Sequence, residues 1–129
     1  MHPSKLASIP LFESLKKRDL GKLSGWVDET QIDAGREIIH EGRTAYEFFV
    51  ILEGSARVLR SGEEVGKLGS GDFFGEIALE GHEPRTASVV SETPMRLAVM
   101  FEREFHLMED ELPAVADRIR EAIEARRPH

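Results

Sequence analysis

The chain has 129 residues, 40% of them apolar and 32% charged, and it contains no cysteine. That length supports a single hydrophobic core, and the composition is that of a folded domain rather than a disordered segment. A formal net charge of -7 excludes a general basic surface for nucleic acid or anionic membrane, and the missing cysteines exclude disulfides, thiolate metal sites and cysteine nucleophiles.

The opening MHPSKLASIPLF has no apolar stretch long enough for a secretory signal, and no run approaches membrane-spanning length. A reducing cytoplasm is the expected address, without membrane insertion. Residues 10–26 carry Leu11, Phe12, Leu15, Leu20, Leu23 and Trp26 at spacings that suit one or two short amphipathic helices. Gly21 weakens that helical pattern, and Ser24-Gly25 marks its end.

From Val27 to Met100, glycines recur between short β-rich runs. Strands are expected near 27–33, 37–40, 47–53, 55–60, 64–68, 85–91 and 94–100. So many short strands at close spacing indicate an all-β sandwich or barrel. The run FFVIL at 48–52 is apolar throughout, as in a strand covered on both faces. In SARVLR, alternation puts Ala56, Val58 and Arg60 on one side and Arg57 and Leu59 on the other, with the inner side left open.

Beyond Met100 the period becomes helical again. Phe101, Phe105, Leu107 and Met108 suggest one helix, and Pro113, after the acidic EDEL, opens another that runs to about Arg127. Val115, Ile119, Ala122 and Ile123 form its apolar stripe. Acids near its start and Arg126 and Arg127 near its end are placed to complement the helix dipole.

The stretch GDFFGEIALEGHEPRTASVV, residues 71–90, departs from this pattern of core and turn. Gly75 permits positive φ or close backbone approach to a ligand. A short helical turn over Glu76 to Leu79 would turn free N–H groups toward an anion, and Arg85 would add a charge-assisted contact. Glu76 is a poor neighbour for phosphate unless it accepts a hydrogen bond from a ribose hydroxyl. With small Ala78, Thr86 and Ala87 leaving room, the set describes a nucleotide monophosphate pocket.

The motif F-G-E-I-A-L-x4-P-R-T-A-S-V resembles the phosphate-binding cassette of the cyclic nucleotide-binding domain family, which includes cAMP receptor-type regulators, kinase regulatory subunits and gated channels. IPLFESL, GREIIHEG, FFVILEGSARV and GDFFGE extend the resemblance over almost the whole chain. It implies a mainly β fold, a jelly-roll β-barrel flanked by short N-terminal helices and two C-terminal helices. The chain then divides into an N-terminal helical segment at 1–26, a barrel at 27–100 with its cassette at 73–88, and lid helices at 101–127. By position, the resemblance assigns the phosphate to Arg85 and to backbone donors at Ile77, Ala78, Thr86 and Ala87, and the ribose hydroxyl to Glu76. Gly75 is where backbone approaches the ligand, and Val58, Val65 and Leu68 line the base. Phe73, Phe74 and Trp26 read as core rather than ligand stackers, although Phe74, next to Gly75, is counted with the site as well. The expected ligand is cAMP, with cGMP also compatible because a hydroxyl at Thr86 suits either.

In isolation Glu76 and Arg85 would read as a structural ion pair; within the full cassette the ligand reading takes precedence. His40, His82 and His106 lie on mismatched segments and do not suggest a metal, and no catalytic constellation or cofactor site is evident. The chain is expected to be a sensor and not an enzyme. Ligand would favour a state in which the 113–127 helix covers the barrel mouth, with Ile119, Ile123 and Arg126 as candidate lid contacts, Ile119 and Ile123 reading first as core packing. The expected output is through an unidentified protein effector, through a homodimer, or as a nucleotide buffer, since no DNA-binding domain, kinase-inhibitor sequence or channel segment is recognised. Two other readings stand beside it: an interaction module with a vestigial cassette, and a cupin-type enzyme, which would need an inward cluster of His and Glu with an H-x-H pair that this chain lacks.

Overall fold

The computed structural model describes residues 1–13, 15–43, 47–75 and 85–126, and of residues 123 and 126 the backbone only. Helix α1 (Pro3–Leu6), a 3-10 turn (Pro10–Phe12) and α2 (Lys17–Leu23) come first. Among the described residues eight strands follow: β1 (Asp28–Ile32), β2 (Glu37–Ile39), β3 (Glu47–Glu53), β4 (Ala56–Arg60), β5 (Glu63–Leu68), β6 (Phe73–Phe74), β7 (Ser88–Ser91) and β8 (Met95–Phe101). Helices α3 (Glu102–Glu111) and α4 (Pro113–Arg126) close the chain.

The strands form two four-stranded sheets, ordered β1-β8-β3-β6 and β2-β7-β4-β5. Every pairing is antiparallel. This is a jelly roll, with consecutive strands alternating between sheets at both ends. The sheets face each other and do not close into one continuous barrel.

Strand β3 separates two cores. Phe49 and Ile51 point between the sheets, among Ala56, Leu68, Phe74, Val89, Met95, Leu97 and Val99. Phe48 and Val50 point the other way, onto a helical layer that includes Leu6, Phe12, Leu23, Phe105, Met108, Val115 and Ile119. The uninterrupted FFVIL run therefore has the explanation anticipated for it, with both faces covered. Phe74 stacks on Phe49 with ring centroids 4.9 Å apart, and Phe73 tilts against Phe48 at 5.7 Å.

A two-residue loop, Ser61–Gly62, joins β4 to β5 with φ of 53° and 81°. Positive φ at both positions matches the right-handed twist of a hairpin, and glycine takes it without strain. The Ser61 N–H donates to the Glu41 carboxylate at 2.9 Å, which ties the hairpin tip to the segment after β2.

Charged side chains staple the outer faces. Arg96 on β8 donates to Glu29 at 2.8 Å and to Glu53 at 3.2 Å, while Lys5 of α1 reaches Glu29 at 3.1 Å. These bonds, Arg96 first and Lys5 second, hold the Glu29 carboxyl below its ordinary value. On α3, His106 lies between Glu109 at 2.8 Å and Glu102 at 3.4 Å. The acids expected at the start of α4 fall instead within α3, whose last residue is Glu111, and the first turn of α4 carries none. Leu112, with φ -134° and ψ 62°, breaks the helical path and so assigns them to the earlier helix.

Candidate ligand-binding site

Arg85 is the most enclosed charged residue described, at 6% exposure. Its place is fixed from two directions. The backbone N–H donates to the Arg43 carbonyl and its own carbonyl accepts from Gly42, both at 2.8 Å. The guanidinium Nη2 donates to the Glu47 carbonyl, also at 2.8 Å. A strand was expected from residue 85; it begins at Ser88, and Arg85, Thr86 and Ala87 form the irregular lead into it. Ser88 is buried, and its hydroxyl accepts from the Glu41 N–H at 2.9 Å, which fixes that lead against the segment after β2.

Gly75 lies against the arginine. Its φ is +80°, and a Cβ there would sit 2.7 Å from Arg85 Nη1 and 2.7 Å from the Glu47 carbonyl oxygen. What crowds Gly75 is the arginine's own head group and the first carbonyl of β3. Any larger residue would displace that head group or the start of β3.

Arg85 and Gly75 open into a cavity of about 220 Å³ between the sheets. Its walls are Ile39, Val58, Leu68, Phe74 and Val89, with Thr86, Ala87 and Arg60 at the side and rim. An apolar wall opposite one buried cation suits a ligand that is flat and apolar at one end and anionic at the other. On the other side of Arg85 a wider recess of about 570 Å³ is lined mainly by charged and polar residues, including Glu37, His40, Arg43 and Glu47. Ile38 and Ile39 are the apolar side chains among its described lining residues.

The structure brings together seven of the residues singled out in the sequence: Val58, Leu68, Phe74, Gly75, Arg85, Thr86 and Ala87. Glu76, Ile77 and Ala78 lie outside the described residues. Val65 does not line the cavity and stands 53% exposed. Leu68, three residues on, faces the core, so alternation puts Val65 on the outer face, where a bulge also leaves it without a partner between the Val58–Gly66 and Leu59–Glu64 pairs. Ile119 is 1% exposed and belongs to the helical core, away from the cavity. Ile123 and Arg126 are in α4, and their side chains lie outside the described residues. Ile39, Val89 and Arg60 are cavity residues not assigned to the site in advance. For Arg60 the signal was its alternation with Val58.

Among the described residues no three His, Asp or Glu side chains gather as a metal site would need. The model of the cyclic nucleotide-binding domain matches residues 29–110, from β1 to near the end of α3. That interval contains every described residue of the cavity. The chain belongs to the cyclic nucleotide-binding domain family. Among this family's members it is 36% identical over 122 residues to a cAMP-dependent protein kinase regulatory subunit of Mycosarcoma maydis, covering 88% of this chain and 23% of that protein. A cAMP-dependent protein kinase regulatory subunit of Neurospora crassa is 31% identical over 122 residues, covering 93% of this chain and 32% of that protein. The chain therefore spans about a quarter to a third of the length of these relatives. A crystal structure of a putative cyclic nucleotide-binding protein from Geobacter metallireducens superposes with a TM-score of 0.84 at 22% identity, covering 97% of this chain and 94% of that one, which establishes the shared fold.

Proposed function

We propose that this domain binds a cyclic purine nucleotide in the cavity beside Arg85 and serves as the sensing part of a regulatory protein. The observation that carries the proposal is the buried Arg85 guanidinium, held by the Glu47 carbonyl where it lines a largely apolar cavity. Placing a cation there costs desolvation, and a bound cyclic phosphate offsets that cost. The purine lies along Val58, Leu68 and Val89, while Thr86 and Ala87 flank the phosphate with their backbone N–H groups. Glu76, together with the Ile77 and Ala78 amides, completes the clasp on the ribose and phosphate. The kinship with cAMP-dependent kinase subunits supports cAMP as a ligand.

Signal output runs through α4. The helix is docked, with Val115, Ala116 and Ile119 buried in the helical core and only Leu112 between it and α3. A swing about Leu112 toward the cavity brings the Ile123 and Arg126 end over the base, at the cost of undocking Ile119. Ligand moves this equilibrium only in so far as it binds the covered state more tightly. The effector is a separate protein or a second copy of the chain. No reaction is assigned to the domain.

Calorimetric titration with cAMP and cGMP tests the proposal. Loss of one member of a buried charged contact costs about 2–5 kcal/mol, which is roughly thirtyfold to several thousandfold in affinity. Arg85→Ala is expected to lose binding on that scale while its melting transition stays cooperative, and Glu76→Ala is expected to lose less. Unchanged affinity in a folded Arg85→Ala protein would remove the assignment.

A further inference from the structure

We propose that Arg60 reads the edge of the bound base and makes the site prefer a purine with an oxygen at position six, as in guanine or hypoxanthine, over adenine. The inference rests on the cyclic nucleotide reading of the cavity and concerns which base that cavity selects.

Arg60 is the last residue of β4, held at that point by the Ser61–Gly62 hairpin turn. Alternation along the strand directs Ala56, Val58 and Arg60 inward, so Arg60 continues the wall on which the base lies. Its Nε donates to the Thr86 carbonyl at 3.3 Å, a bond that leaves the two Nη groups for other acceptors. Among the described residues no carboxylate forms an ion pair with Arg60, and nearby Glu41 accepts instead from the Ser61 N–H. The cyclic phosphate carries one negative charge, which Arg85 offsets. Arg60 is exposed at the rim, where the edge of a base lying on Val58 emerges.

A guanidinium has five N–H donors and no acceptor. Guanine and hypoxanthine offer two acceptors on that edge, O6 and N7, which a guanidinium fork meets together. Adenine replaces O6 with an amino group, so donor faces donor and one of the two bonds is lost. At an exposed rim the advantage falls at the lower end of such base discrimination, about five- to tenfold in affinity. The expected ranking therefore favours cGMP over cAMP, the reverse of the order read from the sequence.

The test is calorimetric titration of the full chain with the cyclic monophosphates of adenosine, inosine and guanosine. Cyclic IMP differs from cyclic AMP only in the group at C6 and the proton on N1, whereas cyclic GMP adds an amino group that Thr86 can meet. Wild type is expected to bind cyclic IMP about five- to tenfold more tightly than cyclic AMP. In Arg60→Ala the two are expected to bind equally, and in Arg60→Gln, which presents a donor and an acceptor, the order turns toward cyclic AMP. Equal ratios in wild type and Arg60→Ala, or tighter cyclic AMP in wild type, would overturn the role of Arg60. Either result would leave the cavity assignment standing, provided that Arg85→Ala still abolishes binding. No binding of any of the three by wild type would bring down both. Should Arg60→Ala fail to fold, the wild-type ratio of cyclic IMP to cyclic AMP decides alone.

Discussion

Gly75 and Arg85 work as one unit. The glycine's φ is +80°, and a Cβ on it would stand only 2.7 Å from the Glu47 oxygen, so there is no room for a side chain. Gly75→Ala is expected to lower stability by about 1–3 kcal/mol through backbone strain and to displace the Arg85 head group. Urea unfolding and nucleotide titration on the same protein check both effects; full stability with native affinity would show that the start of β3 can shift freely. The positive φ at Gly75 was legible in the sequence because glycine has a distinctive conformational freedom. Arg60 was half legible, since alternation grouped it with Val58 but a five-residue strand does not reveal its inner side. Val65 lies outside the cavity for a simpler reason: it is three residues from the inward Leu68, and two such positions cannot share one face of an alternating strand.

Among the elements, β3 and the C-terminal helices were readable because their patterns are long. Strand β6 escaped notice because it has two residues, Phe73 and Phe74, too few to show a period. Helix α1 spans four residues within the expected N-terminal helical segment, too few to show a period of its own. For α4 the decisive side chain is Ile119, buried against the helical core. Ile119→Ala is expected to destabilise the domain by about 2–5 kcal/mol, as a truncation in a packed core does. If α4 swings as proposed, the same substitution weakens the docked state selectively and raises nucleotide affinity at a temperature where the domain stays folded. Denaturant unfolding combined with titration separates the two effects; a stability loss with unchanged affinity would argue that α4 remains docked when ligand binds. Arg120 of α4 adds to the docking, with its guanidinium 5.4 Å from the Phe105 ring centroid and an ion pair to Glu109 of α3.

Across the whole molecule, two exposed charge clusters give stability opposite dependences on pH. His106 is held above its ordinary value, first by its bond to Glu109 and then by that to Glu102. The folded state therefore binds that proton more tightly than the unfolded chain does. The gain is complete below the ordinary histidine value near about 6.5 and is lost as pH rises through the elevated one. Glu29 is the reverse case, held down by Arg96 and then Lys5. Its contribution is present above the ordinary glutamate value near about 4.3 and disappears as pH falls through the depressed one. The melting temperature of wild type is expected to exceed that of His106→Gln at about pH 5.5 and to match it by about pH 8.5. The difference from Glu29→Gln is expected to persist through neutrality and to vanish in acid. Both differences shrink in high salt, because these pairs face solvent. A histidine difference that grew with pH would reverse the assignment.

The two-sided character of β3 has a consequence for how the chain finds its native pairing. Sliding FFVIL by one residue exchanges Phe48 and Val50 with Phe49 and Ile51, and greasiness alone scarcely distinguishes the two arrangements. Something directional has to break the tie. The hydrogen bond from Arg85 to the Glu47 carbonyl does so at one end of the strand, and the irregular pairing of Ile51 and Glu53 with β8 does so at the other. The guanidinium assigned to the phosphate is thus also a peg that locks the alignment, so a messenger seated on it would steady the scaffold along with the pocket.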